Sequence, residues 1–231
     1  MAIRSSQLGL TPQTRAELRR RVEINEGIRL ARYLDSRQIP TIGTGYNIQA
    51  RGTQPLAAVG VVDVQAVASG NDSQAPGAAR YRLTDLRAQH PDTAWAPAHA
   101  GQTFIAGITQ AQNDALLDRD IDSFGNAAAA LLPQGIFDAL APARQVAWCD
   151  MAFNMGTGED GLGGFHQTIS VLVQAQRAKD AGAPNAHQLF EEVGQHLENS
   201  AFFRQVGDRA KRDVAMMRTG AFVNPTGDGS A

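Results

Sequence analysis

Two carboxylates and a hydroxyl pose the chemical question. Glu26 and Asp35 stand nine positions apart, and Thr41 follows six positions later. Cleaving a glycosidic bond commonly takes two carboxyl groups facing one another across it. One keeps its proton and hands it to the leaving oxygen, while the other stays ionised and works on the opposite face of the sugar. A helix ending at Glu26 would surround that carboxyl with partial negative charge, which disfavours ionisation. Taken singly, each residue has an ordinary reading. A Glu near a helix end is usually solvated, an Asp is usually a turn residue, and a Thr is usually a strand residue.

Elements that could position these groups are legible around them. Thr11 followed by Pro12 reads as a helix start. Leu18 and Val22, then Ile24 and Ile28, sit four apart on a charged background, and Gly27 reads as the C-terminal cap. Glu26 then falls in the last turn. The run Asp35-Ser36-Arg37-Gln38 reads as a turn, Pro40 forbids further helix, and Thr41, Ile42 and Tyr46 favour strand. Residues 30–48 are therefore expected to form a hairpin or small sheet. Residues 49–107 carry a weaker signal: a short strand near Val59–Val64, a helix near Leu83–Gln89, and otherwise a functional insertion or mobile stretch. Thr109 with Gln112 fits a capping box that opens a helix toward Ile121. Helical patterns recur at 126–132, 136–155, 166–180, 186–198 and 206–218. Val146–Phe153 is apolar nearly all round and should be a buried central helix, with Cys149 as a small core residue. The expected class is α+β, mostly α.

Glu26-Gly27-Ile28-Arg29-Leu30, then Tyr33, Asp35 and Thr41-Ile42-Gly43-Thr44-Gly45, resembles the catalytic segment of phage-type lysozymes, glycoside hydrolase family 24. The resemblance continues in Met151–Gly156, Gly163-Gly164-Phe165, Arg209–Arg212 and Arg218-Thr219-Gly220, covering about 26–48 and 108–222. It implies a muramidase that cleaves the β-1,4 bond between N-acetylmuramic acid and N-acetylglucosamine, without metal or organic cofactor. Glu26 would be the general acid, Asp35 the carboxylate that positions water or stabilises developing charge, and Thr41 a hydroxyl holding that water. Tyr46, Asn47, Phe153 and Thr168 would contact sugar. Gly43 and Gly45 would let the glycan approach the backbone, and Arg209 would pair with Glu26. The implied architecture is one lysozyme-like domain with a small β-containing lobe (32–107, enlarged by 49–107) and a helical lobe (1–31 and 108–231). Tyr46 departs from the histidine that close family members carry there. The middle insertion and the low net charge are further departures.

Composition bounds the alternatives. The chain of 231 residues is 43% hydrophobic and 19% charged, as a globular protein is, and its net charge of -2 gives no broad positive field for nucleic acid. A single cysteine excludes an intrachain disulfide. No stretch approaches a membrane span, and the N-terminal residues do not read as a secretory signal, so synthesis in the cytoplasm and later release or delivery to the wall are expected. The expected partner is the peptidoglycan glycan strand, met by a monomer. Release through a holin, virion association, and secretion with an immunity or carrier protein all share this segment. Gly156-x-Gly158-x-x-Gly161 follows a helix and opens no βαβ unit, so it reads as a loop. His90, His99, His166, His187 and His196 lack metal-ligand spacing. Two other readings compete: a lytic transglycosylase, which forms an anhydro sugar in place of adding water, and a non-catalytic wall-binding or virion module.

Overall fold

The computed structural model describes residues 10–71, 77–95 and 101–224. Residues 1–9 of the N-terminal reading, and His99, lie outside them. The described chain is mostly helical with one small antiparallel sheet, as the α+β class requires. It divides into two units, one of residues 1–25 and 120–231, the other Glu26–Arg119.

Helix α1 (Pro12–Glu26) starts where Thr11 predicts, its hydroxyl accepting from the Thr14 amide at 3.1 Å. Leu18 and Val22 are buried, and Glu17–Arg21 and Arg19–Glu23 pair along the helix at 2.7 and 3.1 Å. Glu26 is its last residue, and Gly27 takes a left-handed φ of 68° that ends it. Ile24 does not continue the apolar stripe, being 43% exposed.

In the unit Glu26–Arg119, strands β1 (Arg29–Leu34), β2 (Pro40–Gly43) and β3 (Tyr46–Asn47) form the expected hairpins. Next come α2 (Ile48–Arg51), α3 (Gln54–Ala58), α4 (Val64–Ser69), β4 (Ala79–Arg82), α5 (Leu83–Gln89) and β5 (Phe104–Gly107). The sheet order is β3-β2-β1-β5-β4. Both of its faces are apolar, because side chains alternate along each strand. Ile42, Tyr46 and Ala106 pack with Leu56, Val61 and Val67, whereas Ala31, Tyr33 and Ile105 pack with Leu83, Leu86 and Trp95. Gly107 permits the β1–β5 pairing: a Cβ there would stand 2.3 Å from the Leu30 carbonyl oxygen.

Two readings of the middle segment are corrected. No strand forms at Val59–Val64. Gly60 (φ 78°) and Asp63 (φ 51°) turn the backbone left-handed, so α3 and α4 flank a turn, and Val61 is buried while Val62 is 50% exposed. The segment is also more than an insertion of weak structure, since β4 and β5 complete the sheet. The helix near Leu83–Gln89 forms as α5.

Helix α6 (Gln110–Ala130) opens on the capping box: the Thr109 hydroxyl accepts from the Gln112 amide at 3.2 Å, and Gln112 Oε1 accepts from the Thr109 amide at 2.8 Å. It absorbs most of the separate helix expected at 126–132. In the other unit, Pro142 splits the expected 136–155 helix into α7 (Ile136–Ala139) and α8 (Pro142–Met155). Helices α9 (His166–Asp180), α10 (Ala186–Glu198), α11 (Ala201–Val206) and α12 (Asp208–Thr219) follow; Gly207 (φ 63°) separates α11 from α12, and α12 is the helix expected at 206–218. Every residue of α8 from Ala143 to Ala152 is buried, including Cys149. The Trp148 indole donates to the Ala128 carbonyl at 2.9 Å, and Arg144 donates to the carbonyls of Met217 and Arg218 at the end of α12. The loop Gly156–Gly161 follows α8 as expected.

Candidate active site

Glu26 belongs to the same unit as Asp35 and Thr41. Its side chain lies against the turn joining β2 and β3. A Cβ built on Gly45 would stand 3.2 Å from Glu26 Oε2 and 3.5 Å from its Cγ. Gly45 has a φ of 70°, so both its backbone and its missing side chain serve this approach. Gly43 (φ 63°) does the same for Asn113, whose Oδ1 would meet a Cβ at 2.4 Å. That Oδ1 accepts from the Thr44 amide at 2.8 Å and from its hydroxyl at 3.1 Å, which ties the turn to α6. The two glycines thus shape the turn beside Glu26.

Asp35 closes the β1–β2 turn. Its Oδ1 accepts from the amides of Arg37 and Ile39, both at 2.8 Å, and Gln38 takes a φ of 62°. The turn reading of Asp35 is therefore correct, and the same bonds fix its carboxylate in place. Thr41 is buried and donates its hydroxyl hydrogen to the Ile39 carbonyl at 3.0 Å, so its remaining hydrogen-bonding capacity is as an acceptor.

Strand register decides which neighbours matter. Tyr33 opposes Thr41, and Thr41 opposes Asn47, so the three form one cross-strand row on one face. Ile42 and Tyr46 oppose each other on the other face. Tyr46 is 1% exposed, sits in the core cluster with Leu56, and donates its hydroxyl to the Gly52 carbonyl at 2.9 Å. The expectation that Tyr46 contacts sugar is corrected: it is a core residue. Asn47 caps α2, its Oδ1 accepting from the Ala50 amide at 2.8 Å.

No family model matches the chain.

Tyr33 is the residue of this site that the sequence reading left without a role. Burial pushes its phenol above the ordinary range; the adjacent Arg29 lowers it, and Glu26 and Asp35 both raise it. Both carboxylates therefore act electrostatically on one buried phenol. Arg29 lies 4.7 Å over the Tyr33 ring. Tyr33 could have been found from strand alternation, which puts it on the face of Thr41. Nothing local in the sequence pointed to Asn113.

The remaining expected residues lie in the other unit. Phe153 is half-buried, its ring 5.2 Å from that of Phe124. Thr168 is buried in the first turn of α9. Arg209 grips Asp150 with two bonds of 3.0 and 2.9 Å. Asp213 is buried beside that pair. Burial raises its carboxyl well above the usual range and the charge of Asp150 adds to this, against Arg209, Arg21 and Arg212. Among the described residues no helix is long and apolar enough to cross a membrane.

Proposed function

We propose that this chain is a muramidase of the phage-lysozyme type, with a lysozyme-like fold, that hydrolyses the glycan strand of peptidoglycan. The observation that carries the reading is the placement of Glu26. The last residue of α1 sets its carboxylate against Gly45, in the turn of the same hairpin system that holds Asp35 and Thr41. In this reading Glu26 protonates the bridging oxygen. Asp35, oriented by two backbone amides, stays ionised and opposes the positive charge that develops at the anomeric carbon. The Thr41 oxygen accepts a hydrogen from the incoming water. Phe153, Thr168, Asn47 and Arg209 enter the reading by resemblance alone.

Glu26→Gln keeps the shape of the side chain and removes the transferable proton. Its expected turnover on purified peptidoglycan falls at least about 10²–10⁴-fold, the contribution of a positioned general acid, with an unchanged melting temperature. Wild-type turnover in Glu26→Gln would refute the assignment. Mass spectrometry of the released muropeptides reads the chemistry separately. Hydrolysis gives reducing ends, whereas a transglycosylase gives anhydro ends one water lighter.

A further inference from the structure

The buried stripe of α6 includes Leu116 and Leu117, and Asn113 stands one turn before them in the same stripe, 1% exposed. Asparagine is a poor helix former and a costly residue to bury. The position therefore breaks two local rules at once, and such breaks gather where function rather than stability sets the residue. What Asn113 does there is specific. Its Oδ1 accepts from the Thr44 amide at 2.8 Å and from the Thr44 hydroxyl at 3.1 Å. Thr44 is itself 3% exposed, so water cannot replace that acceptor. The helix that carries Asn113 is firmly held. At its entry the Ile108 amide donates to the Leu30 carbonyl of β1 at 2.8 Å, and the Tyr81 hydroxyl of β4 donates to the Ile108 carbonyl at 2.7 Å.

The two glycines of the β2–β3 turn make room for different side chains. Gly43 leaves space for the Asn113 oxygen, and Gly45 leaves space for the Glu26 carboxylate. Thr44 lies between them, so the residue that Asn113 grips is bonded directly to the one against which Glu26 rests. We propose that Asn113 is a positioning residue: by fixing Thr44 it fixes Gly45, and with it the place of the Glu26 carboxylate. The inference rests on the muramidase reading for what Glu26 does, and not for where Glu26 is held. Displacing a reacting group by about 1 Å can cost about 10²-fold in rate. Loss of this acceptor therefore acts on turnover and not on affinity.

The test uses the full chain and a set of variants. Asn113→Leu removes the acceptor and nearly keeps the volume. Asn113→Asp keeps the accepting oxygen and loses only Nδ2, which is buried with no partner among the described residues. Gly52→Ala is the control, a strained backbone in the same unit whose added Cβ meets nothing within 4 Å. Thr44→Val removes one of the two bonds and takes the place of Asn113→Leu in every readout if that variant does not fold. Thermal melts set a temperature at which all the proteins compared are folded. The first readout is the side-chain carboxyl carbon resonance of Glu26, followed by NMR and assigned by its loss in Glu26→Gln. It should move in Asn113→Leu and stay in place in Gly52→Ala. The second is turnover on soluble peptidoglycan strands. In Asn113→Leu kcat should fall at least about tenfold with KM within about twofold, while Asn113→Asp keeps at least about a third of the parent kcat. An unmoved Glu26 resonance or an unchanged kcat in Asn113→Leu overturns the inference, as do equal losses of kcat in Asn113→Leu and Asn113→Asp. A loss in Gly52→Ala as large as that in Asn113→Leu also overturns it, because strain alone would then suffice. A Glu26 resonance that moves as expected, in a protein whose parent cleaves no peptidoglycan, refutes the muramidase reading and leaves the placement of Glu26 standing.

Discussion

At the scale of single residues, the candidate site depends on atoms that are missing as much as on those present. Gly45 is the clearest case, because its lack of a Cβ makes room for the Glu26 carboxylate. Gly45→Ala would cost about 1–2 kcal/mol for the left-handed backbone and would also press on Glu26. Gly52 separates the two effects, since its φ is 72° and a Cβ there meets nothing within 4 Å. Both alanine variants should lower the melting temperature by a few degrees. Only Gly45→Ala should also cut turnover on peptidoglycan, by at least about tenfold, or 1.4 kcal/mol. Equal losses of turnover in both variants would show that backbone strain, and not contact with Glu26, is what matters. The glycines were legible in sequence as a place of close approach, but what approaches them was not. A Glu side chain and an Asn from a distant helix fill the space beside them.

At the scale of elements, the ends of helices were easier to read than the middle of the sheet. Caps are local: Thr11, Gly27 and the Thr109–Gln112 box each satisfy backbone groups within a few residues. Thr109→Ala should therefore cost about 1 kcal/mol and lower the melting temperature by about 2–4 °C for a chain of this size. No change on denaturant unfolding would mean that the cap contributes nothing to α6. Strands β4 and β5 were missed for the opposite reason. Ala79–Arg82 has two arginines in four residues and is half exposed, and it becomes a strand by pairing with Phe104–Gly107. Pairing between segments more than twenty residues apart leaves no periodicity in either one. The valines at 59, 61, 62 and 64 show the reverse error: their β-branching favours strand, but Gly60 and Asp63 bend the backbone and tertiary burial of Val61 rewards the turn.

At the scale of the whole molecule, the buried charges of the helical unit set how stability responds to pH. Asp213 is buried, and its Oδ2 has no hydrogen-bond partner. Its carboxyl titrates well above the ordinary range in the folded chain, so the folded state holds this proton more tightly than the unfolded state. That contribution is complete below the unfolded value of about 4 and is lost as pH rises toward the folded value. Asp213→Asn removes the titration. The variant should be at least as stable as the parent at pH 7, and its melting temperature should vary less between about pH 4 and 7. A variant less stable at pH 7, with the same pH slope as the parent, would show that an ionised Asp213 supports the fold through Arg209, Arg21 and Arg212. Asp150 is a different case, because Arg209 satisfies both of its oxygens.

The amino-acid sequence alone determined the spacing of Glu26, Asp35 and Thr41, the helix that ends at Glu26, the turn at Asp35, the first hairpins and the apolar helix α8. Each depends on caps, turn residues or periodicity that act over a few positions. Tertiary structure decided the rest. It set Tyr33 in a row with Thr41 and sent Tyr46 into the opposite face, because the partner of a strand residue is fixed by register and not by its own identity. It also recruited Asn113 to the β2–β3 turn and gathered Arg29, His90 and Gln110 around one cavity, from segments whose separation along the chain carries no trace of their proximity in space.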